Sequence, residues 1–176
     1  MIDTSKKFLV AGAGKSGIGS VNLLLKTGAD VSLYDGNEEL DKEALFEKLY
    51  EKKEISLVLG NITKEDIEKY DLLVLSPGIS VNAPIAQMFY DQEKPVWSEI
   101  ELAYQASKGK IAAITGTNGK TTTTALTGEI MKGYYESSFV VGNIGIPYTS
   151  VALDTQENSV ITAEISSFQL ETIVDF

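Results

Sequence analysis

The stretch ITGTNGKTTTT, residues 114–124, closes an apolar run with glycines, a lysine and six threonines, four of them consecutive. These residue types can hold phosphate. Backbone N–H groups through Gly116, Thr117, Asn118 and Gly119 can wrap an oxyanion. The Lys120 ammonium can reach β- and γ-phosphates as a point charge. The Thr121 hydroxyl is a hard oxygen ligand of the kind Mg²⁺ takes. Thr122 extends the candidate ATP site into the helix start, where it, Thr123 and Thr124 also suit helix initiation or packing. The spacing is G-x-x-G-K-T, shorter than the usual G-x-x-x-x-G-K-[ST], whose first glycine would fall on Ile114. ATP binding is the functional reading of this loop, and a glycine turn without a ligand is the plain one.

A second cradle stands near the start of the chain. In VAGAGKSGIGS, residues 10–20, Gly12, Gly14 and Gly17 fit G-x-G-x-x-G between an expected strand and an expected helix. The first glycine permits a tight turn, the second a close approach to phosphate, and the third close helix–strand packing. The helix start adds a partial positive charge. Lys15 and Ser16 lie in that first turn. Asp35, followed by Gly36, ends the next apolar run, where a carboxylate can accept from a ribose or a base N–H. SPGI, residues 76–79, puts Ser76 and Gly78 at another strand end, where open α/β sheets take their ligands. A NAD-type site, a site for another nucleotide such as a UDP-sugar, and a turn used only for packing all remain open here. Glu164 lies inside the apolar run VITAEISS, residues 160–167. A carboxylate in a buried strand needs a cation or metal. Beside the Lys120 loop it would be a Mg²⁺ ligand; otherwise it is a strand-end acid that reaches water.

Positioning these groups requires alternating strands and helices. Strands are expected at 7–12, 30–35, 55–60, 71–78 and 95–98, with helices over 16–28, 41–53, 63–69, 83–91 and 98–107. This is an α/β pattern with a parallel sheet covered on both faces. It gives a Rossmann-like unit over residues 1–106. SKGK, residues 107–110, reads as a hinge. Residues 107–176 then begin a P-loop α/β unit, with strands at 110–116, 139–145 and 160–167 and a helix from Gly119 to about Met131. Three strands and two helices make a poor independent domain, so this unit is expected to be partial.

Composition narrows the function. The formal net charge is −10, against a general affinity for nucleic acid or anionic membrane. No apolar run approaches a membrane span. Cysteine is absent, which excludes disulfides and thiolate metal sites. A cytoplasmic monomer is the expectation. Histidine is absent too, and all 15 basic residues are lysine. The commonest general base and any arginine clamp on phosphate would have to come from elsewhere.

Taken in order, GAGKSG, SPGI, GTNGKTTTT, GNIGIP (142–147) and AEISSFQLE (163–171) resemble the Mur ligases over the whole chain. SSFQLE is most similar to the branch that adds D-glutamate to UDP-N-acetylmuramoyl-L-alanine. The resemblance implies an ATP-dependent amide ligase of peptidoglycan synthesis, with a Rossmann-like domain for the UDP end, a central ATP domain and a C-terminal domain that contacts D-glutamate. It implies an acyl phosphate on the substrate carboxylate, attacked by the D-glutamate amine. One cradle then anchors a long substrate by its far end, and the other holds the ATP that activates its near end.

By the same resemblance, Lys120 takes the phosphates, with Thr121 and Glu164 at Mg²⁺. Lys15, Ser16 and Asp35 fall at the uracil, with Lys15 and Ser16 acting through backbone. Gly78 and Asn143 fall at the diphosphate, and Ser166 and Gln169 at the sugar–alanine part. Gly14, Gly36 and Ser76 complete the UDP-substrate set. The family's metal-binding histidine, its carbamylated lysine and its last domain would lie beyond residue 176. This polypeptide is therefore expected to bind the UDP substrate without completing ligation. Two other readings are an NAD-dependent oxidoreductase, for which no histidine is available, and a non-catalytic nucleotide-binding module. A folylpolyglutamate synthetase shares the second cradle, but SSFQLE and the N-terminal fold argue against it.

Overall fold

The computed structural model describes residues 2–176. Five apolar runs form strands β1 (Lys7–Ala11), β2 (Asp30–Asp35), β3 (Ser56–Leu59), β4 (Leu72–Leu75) and β5 (Val96–Ser98). They alternate with α1 (Lys15–Thr27), α2 (Lys42–Phe46), α3 (Lys64–Ile67), α4 (Pro84–Asp91) and α5 (Glu99–Ala106). The strands pair in parallel in the order β3-β2-β1-β4-β5. This is the Rossmann-like α/β arrangement expected from the sequence.

Period-two alternation divides the core. Phe8 and Val10 join one apolar cluster with Leu24, Leu33, Val74 and Ile100, whereas Leu9 and Ala11 join another with Leu73, Leu75, Ile67 and Phe89. A strand buried on both faces reads as a continuous apolar run, which is how FLVA reads. The order of the sheet reverses direction between β1 and β4. Such a switch point leaves a crevice beyond the strand C-termini.

A smaller sheet follows. β6 (Lys110–Ile114), β7 (Ser138–Gly142) and β8 (Val160–Glu164) pair in parallel in the order β6-β8-β7, with α6 (Lys120–Tyr134) between β6 and β7 and α7 (Ser167–Leu170) after β8. These strands stop earlier than the apolar runs suggested. β6 and β7 stop at glycine bends, with positive φ at Gly116 and Gly142, and β8 stops two residues before the Ser166 cap of α7.

One further difference has a local cause. The helix expected over 41–53 ends at Phe46, and a 3-10 turn (Tyr50–Lys52) follows with positive φ at Glu51 and Lys52. Asn22 on α1 draws this segment out of the helix. Its amide donates to the Lys48 carbonyl at 3.1 Å, and its Oδ1 accepts from the Tyr50 N–H at 2.6 Å. The stretch expected as a hinge, 107–110, carries tertiary hydrogen bonds. Ser107 and Tyr148 share a 2.5 Å hydroxyl hydrogen bond, and the Lys108 N–H donates to Thr155 Oγ1 at 2.8 Å. Tyr148, Val151 and Ala152 are buried in the same cluster as α1, α5 and the second sheet's Val141, Ile161 and Ala163. One apolar core therefore joins the two sheets.

Candidate functional site: two glycine cradles at strand ends

The crevice at the switch point is a cavity of about 500 Å³ lined by the loop after β1, the end of β2 and the turn after β4. Gly14, Lys15, Ser16, Asp35, Gly36, Ser76 and Gly78, all expected at the UDP-substrate site, share its wall. The chain folds this way because each wall is fastened to the next. The Gly12 N–H donates to the Tyr34 carbonyl at 2.7 Å and the Ala13 N–H to Asp35 Oδ2 at 2.7 Å. Asp35 Oδ1 accepts from the Asn37 N–H at 2.9 Å. The Ser76 N–H donates to the Ala11 carbonyl at 3.1 Å, and the Ile79 N–H closes the SPGI turn on the Ser76 carbonyl at 2.9 Å.

Two glycines show opposite logic. A Cβ at Gly17 would overlap the Gly12 carbonyl oxygen, so helix and loop pack only without a side chain. A Cβ at Gly14 would meet nothing within 4 Å, and Gly14 has an ordinary φ of −73°. Nothing within the protein requires glycine there. An open backbone facing a crevice suits the approach of a ligand.

The second cradle joins β6 to α6. Gly119 takes φ 77° as it enters the helix. Lys120 Nζ donates to the Gly116 carbonyl at 2.7 Å, folding the ammonium over its own loop. Thr124 is buried and donates to the Lys120 carbonyl at 2.8 Å, so it supports the helix start. Thr117, Asn118, Thr121 and Thr122 are exposed. Glu164 sits on the central strand, opposite Ile114 on one side and Gly142 on the other. It is buried, and its Oε2 has no hydrogen-bond partner. A buried carboxylate oxygen in that condition suits a cation. Among the described residues no three His, Cys, Asp or Glu side chains gather into a metal cage. Glu164 would be one ligand of a shared set.

Glycine at the N-cap separates the two cradles from the rest of the fold. Asp41, Thr63, Ser98 and Ser166 cap α2, α3, α5 and α7 by accepting backbone N–H groups, and α4 starts on Pro84. α1 and α6 start on Gly14 and Gly119, with no side-chain cap and no acid in the first turn. Their leading N–H groups are free to bind an anion.

The remaining expected residues lie at other strand ends. Asn143 follows β7, and its N–H donates to the Glu164 carbonyl at 3.1 Å. Ser166 follows β8 and caps α7. Gln169 is buried, with its amide engaged by Ser166 and by Glu99. Glu99 and Glu101 were not singled out in the sequence. Both are buried at the start of α5, and both reach residues 166–176. Burial pushes the Glu99 carboxyl up to about 7, against the lowering effect of its Gln169 hydrogen bond. The signal available was an acid pair, E-I-E, following an apolar strand.

Residues 6–98 match the family model described as Mur ligase MurD-like, N-terminal domain, and residues 114–176 match the Mur ligase middle domain. The UDP-N-acetylmuramoylalanine–D-glutamate ligase of Lachnospira eligens is 55% identical over 172 residues, covering 98% of this chain and 38% of that protein. The ligase of the same name from Lachnoclostridium phytofermentans is 53% identical, covering 97% and 38%. The chain thus spans 38% of the length of these curated relatives. A pseudomurein peptide ligase type C from Methanothermus fervidus is similar in fold, with a TM-score of 0.50 at 23% identity, covering 92% of this chain and 33% of that one. No helix among the described residues is long and apolar enough to cross a membrane.

Proposed function

The chain belongs to the Mur ligases, and from that membership we propose that it is the UDP-substrate-binding and leading ATP-binding part of an ATP-dependent ligase. That ligase adds D-glutamate to UDP-N-acetylmuramoyl-L-alanine in cytoplasmic peptidoglycan synthesis. The observation that carries the reading is the pair of glycine-led, uncapped, acid-free helix starts, each at the C-terminal edge of its own parallel sheet. One elongated substrate with an anionic diphosphate at one end and a carboxylate to be activated at the other explains why both exist.

In this reading residues 1–106 hold the UDP end. Gly14, Lys15 and Ser16 offer backbone N–H groups, Asp35 and Gly36 face the uracil side, and Ser76 and Gly78 face the diphosphate together with Asn143. Residues 107–176 hold ATP on Gly116–Thr122, with Lys120 on the β- and γ-phosphates. Thr121 and Glu164 would hold Mg²⁺, which would supply neutralisation of phosphate charge. The substrate carboxylate attacks the γ-phosphorus and ADP leaves; the D-glutamate amine then displaces phosphate from the acyl group. Bringing a carboxylate up to a phosphate joins two anions, so the protein's part is positioning and charge neutralisation. We take the protein to act as a monomer.

Calorimetric titration of the chain with UDP-N-acetylmuramoyl-L-alanine, beside UDP-N-acetylglucosamine and NAD, tests the reading. The muramoyl compound is expected to bind and NAD is not. NAD binding alone would overturn the assignment in favour of an oxidoreductase. The 176-residue polypeptide has no histidine and no arginine, and it is expected to bind without turnover. ATP- and D-glutamate-dependent phosphate release by this polypeptide would refute that expectation.

A further inference from the structure

Glu99 opens α5 directly after β5 and is only 4% exposed. It borders a crevice whose other walls are uncharged, among them Ser76 and Pro77 of the turn after β4 and Phe168 and Gln169 of α7. Its Oε1 accepts from Gln169 Nε2 at 2.7 Å, and its Oε2 is buried without a partner. Gln169 passes the constraint on. Its Oε1 accepts from the Ser166 N–H at 2.7 Å and the Ser166 hydroxyl at 2.9 Å, while the Ser166 oxygen caps the Gln169 N–H. Glu101 repeats the connection further along, accepting the N–H groups of Val174 at 2.9 Å and Phe176 at 3.1 Å.

Two features argue for more than packing. Burying a carboxyl with one oxygen unpaired is costly, and an apolar contact would join α5 to α7 without that cost. The chain of hydrogen bonds also ends on Ser166, the residue that opens the loop after β8, beside the strand end where Glu164 stands. It starts next to the Ser76–Ile79 turn of the first cradle. The polar chain therefore runs from the wall of one cradle to the edge of the other.

We propose that Glu99 is a positioning residue for the sugar–peptide end of the substrate: through Gln169 it fixes Ser166 and the start of α7 in register with the turn after β4. This rests on the functional reading above. UDP alone occupies the first cradle and does not need that register. UDP-N-acetylmuramoyl-L-alanine extends past the cradle and does need it. Glu99 thus governs the affinity added by the sugar and alanine, leaving that of the nucleotide unchanged.

The test is the ratio of two dissociation constants, for UDP and for UDP-N-acetylmuramoyl-L-alanine, in the wild-type chain and in Glu99→Ala, Glu99→Leu and Glu99→Gln. Glu99→Ala and Glu99→Leu, which remove the acceptor for Gln169, are expected to hold UDP within about twofold of wild type and to weaken the full substrate about tenfold. Glu99→Gln keeps an acceptor for Gln169 and is expected to restore the ratio. An unchanged ratio in both Glu99→Ala and Glu99→Leu sinks the proposal. So does an equal loss of both ligands in a variant that still melts cooperatively, because that is a merely structural role. If Glu99→Ala does not fold, Glu99→Leu and Glu99→Gln decide by the same criteria. A wild-type chain that binds neither ligand overturns the functional reading itself, and the proposal with it.

Discussion

α1 and α6 begin alike and end in different surroundings. Each starts on glycine after a parallel strand, uncapped and free of acid in its first turn. α1 then buries Val21, Leu23, Leu24 and Leu25 under the sheet, and its strand β1 is central. α6 leaves Leu126, Ile130 and Tyr134 exposed, at 61%, 49% and 83%, and its strand β6 is at an edge. The difference separates two properties that a phosphate site usually combines. The attraction for an anion comes from the loop and the helix end, and both cradles have it. Rigidity comes from the walls, and the first cradle has far more of them.

A matched pair of truncations gives the largest contrast. Leu24 is fully buried, so Leu24→Ala should cost about 3 kcal/mol, or about 10 °C in Tm for a chain of this size. Leu126→Ala on α6 should stay within about 0.5 kcal/mol. Thermal melts of the two variants measure this, and equal losses would show that the 176-residue chain buries α6 after all. The loops should differ in the same sense. Gly17→Val forces a side chain onto the Gly12 carbonyl oxygen and should lower Tm by several degrees as it abolishes UDP binding. Lys120→Ala removes an exposed hydrogen bond, so Tm should hold while Mg-ATP binding weakens about a hundredfold. A Lys120→Ala chain that melts early would contradict the separation of affinity from rigidity.

A smaller effect depends on pH. Burial holds the Glu99 carboxyl at about 7 in the folded chain, above its ordinary value of 4.5. The folded state therefore binds this proton more tightly than the unfolded state does. Its contribution to stability is complete below pH 4.5 and is lost as pH rises through 7. The shift sets an upper bound on the order of 3 kcal/mol, and local relaxation should reduce it to about half. Glu99→Gln should flatten this part of the stability profile between pH 5 and 8, read by urea melts. A profile that keeps its slope in the variant assigns the proton elsewhere.

What could be read from the sequence follows the same division. Gly12, Gly14, Gly17, Asp35 and the SPGI turn were legible because each acts within a few residues of a strand end, and strand ends follow from apolar runs. The place of Lys120 and Thr121 at a helix start after a strand was legible for the same reason. The early end of α2 was not, because Asn22, nearly thirty residues away, supplies the competing hydrogen bonds. The Glu99–Gln169 pair was hidden in the same way. Nothing local marks an acid in E-I-E as buried, and its partner is 70 residues on. The hydrogen bonds on S-K-G-K were hidden as well: the stretch has linker composition, and Tyr148 and Thr155, which bond to it, lie 41 and 47 residues on.

That fastening supports the smallest prediction. Burial pushes the Tyr148 phenol up to about 12, so it stays neutral and needs a hydrogen-bond partner, which Ser107 provides at 2.5 Å. Ser107→Ala leaves the phenol buried and unpaired and should cost about 1 kcal/mol. Because the same apolar cluster runs through α1, α5 and the second sheet, this loss should appear in one cooperative transition. Two transitions would mean that the sheets melt separately and the shared cluster is only a contact. With one transition, UDP should also raise the melting temperature of β6 and α6, although it touches neither. The rigidity that the second cradle lacks in its own walls would then come through Tyr148 from the first.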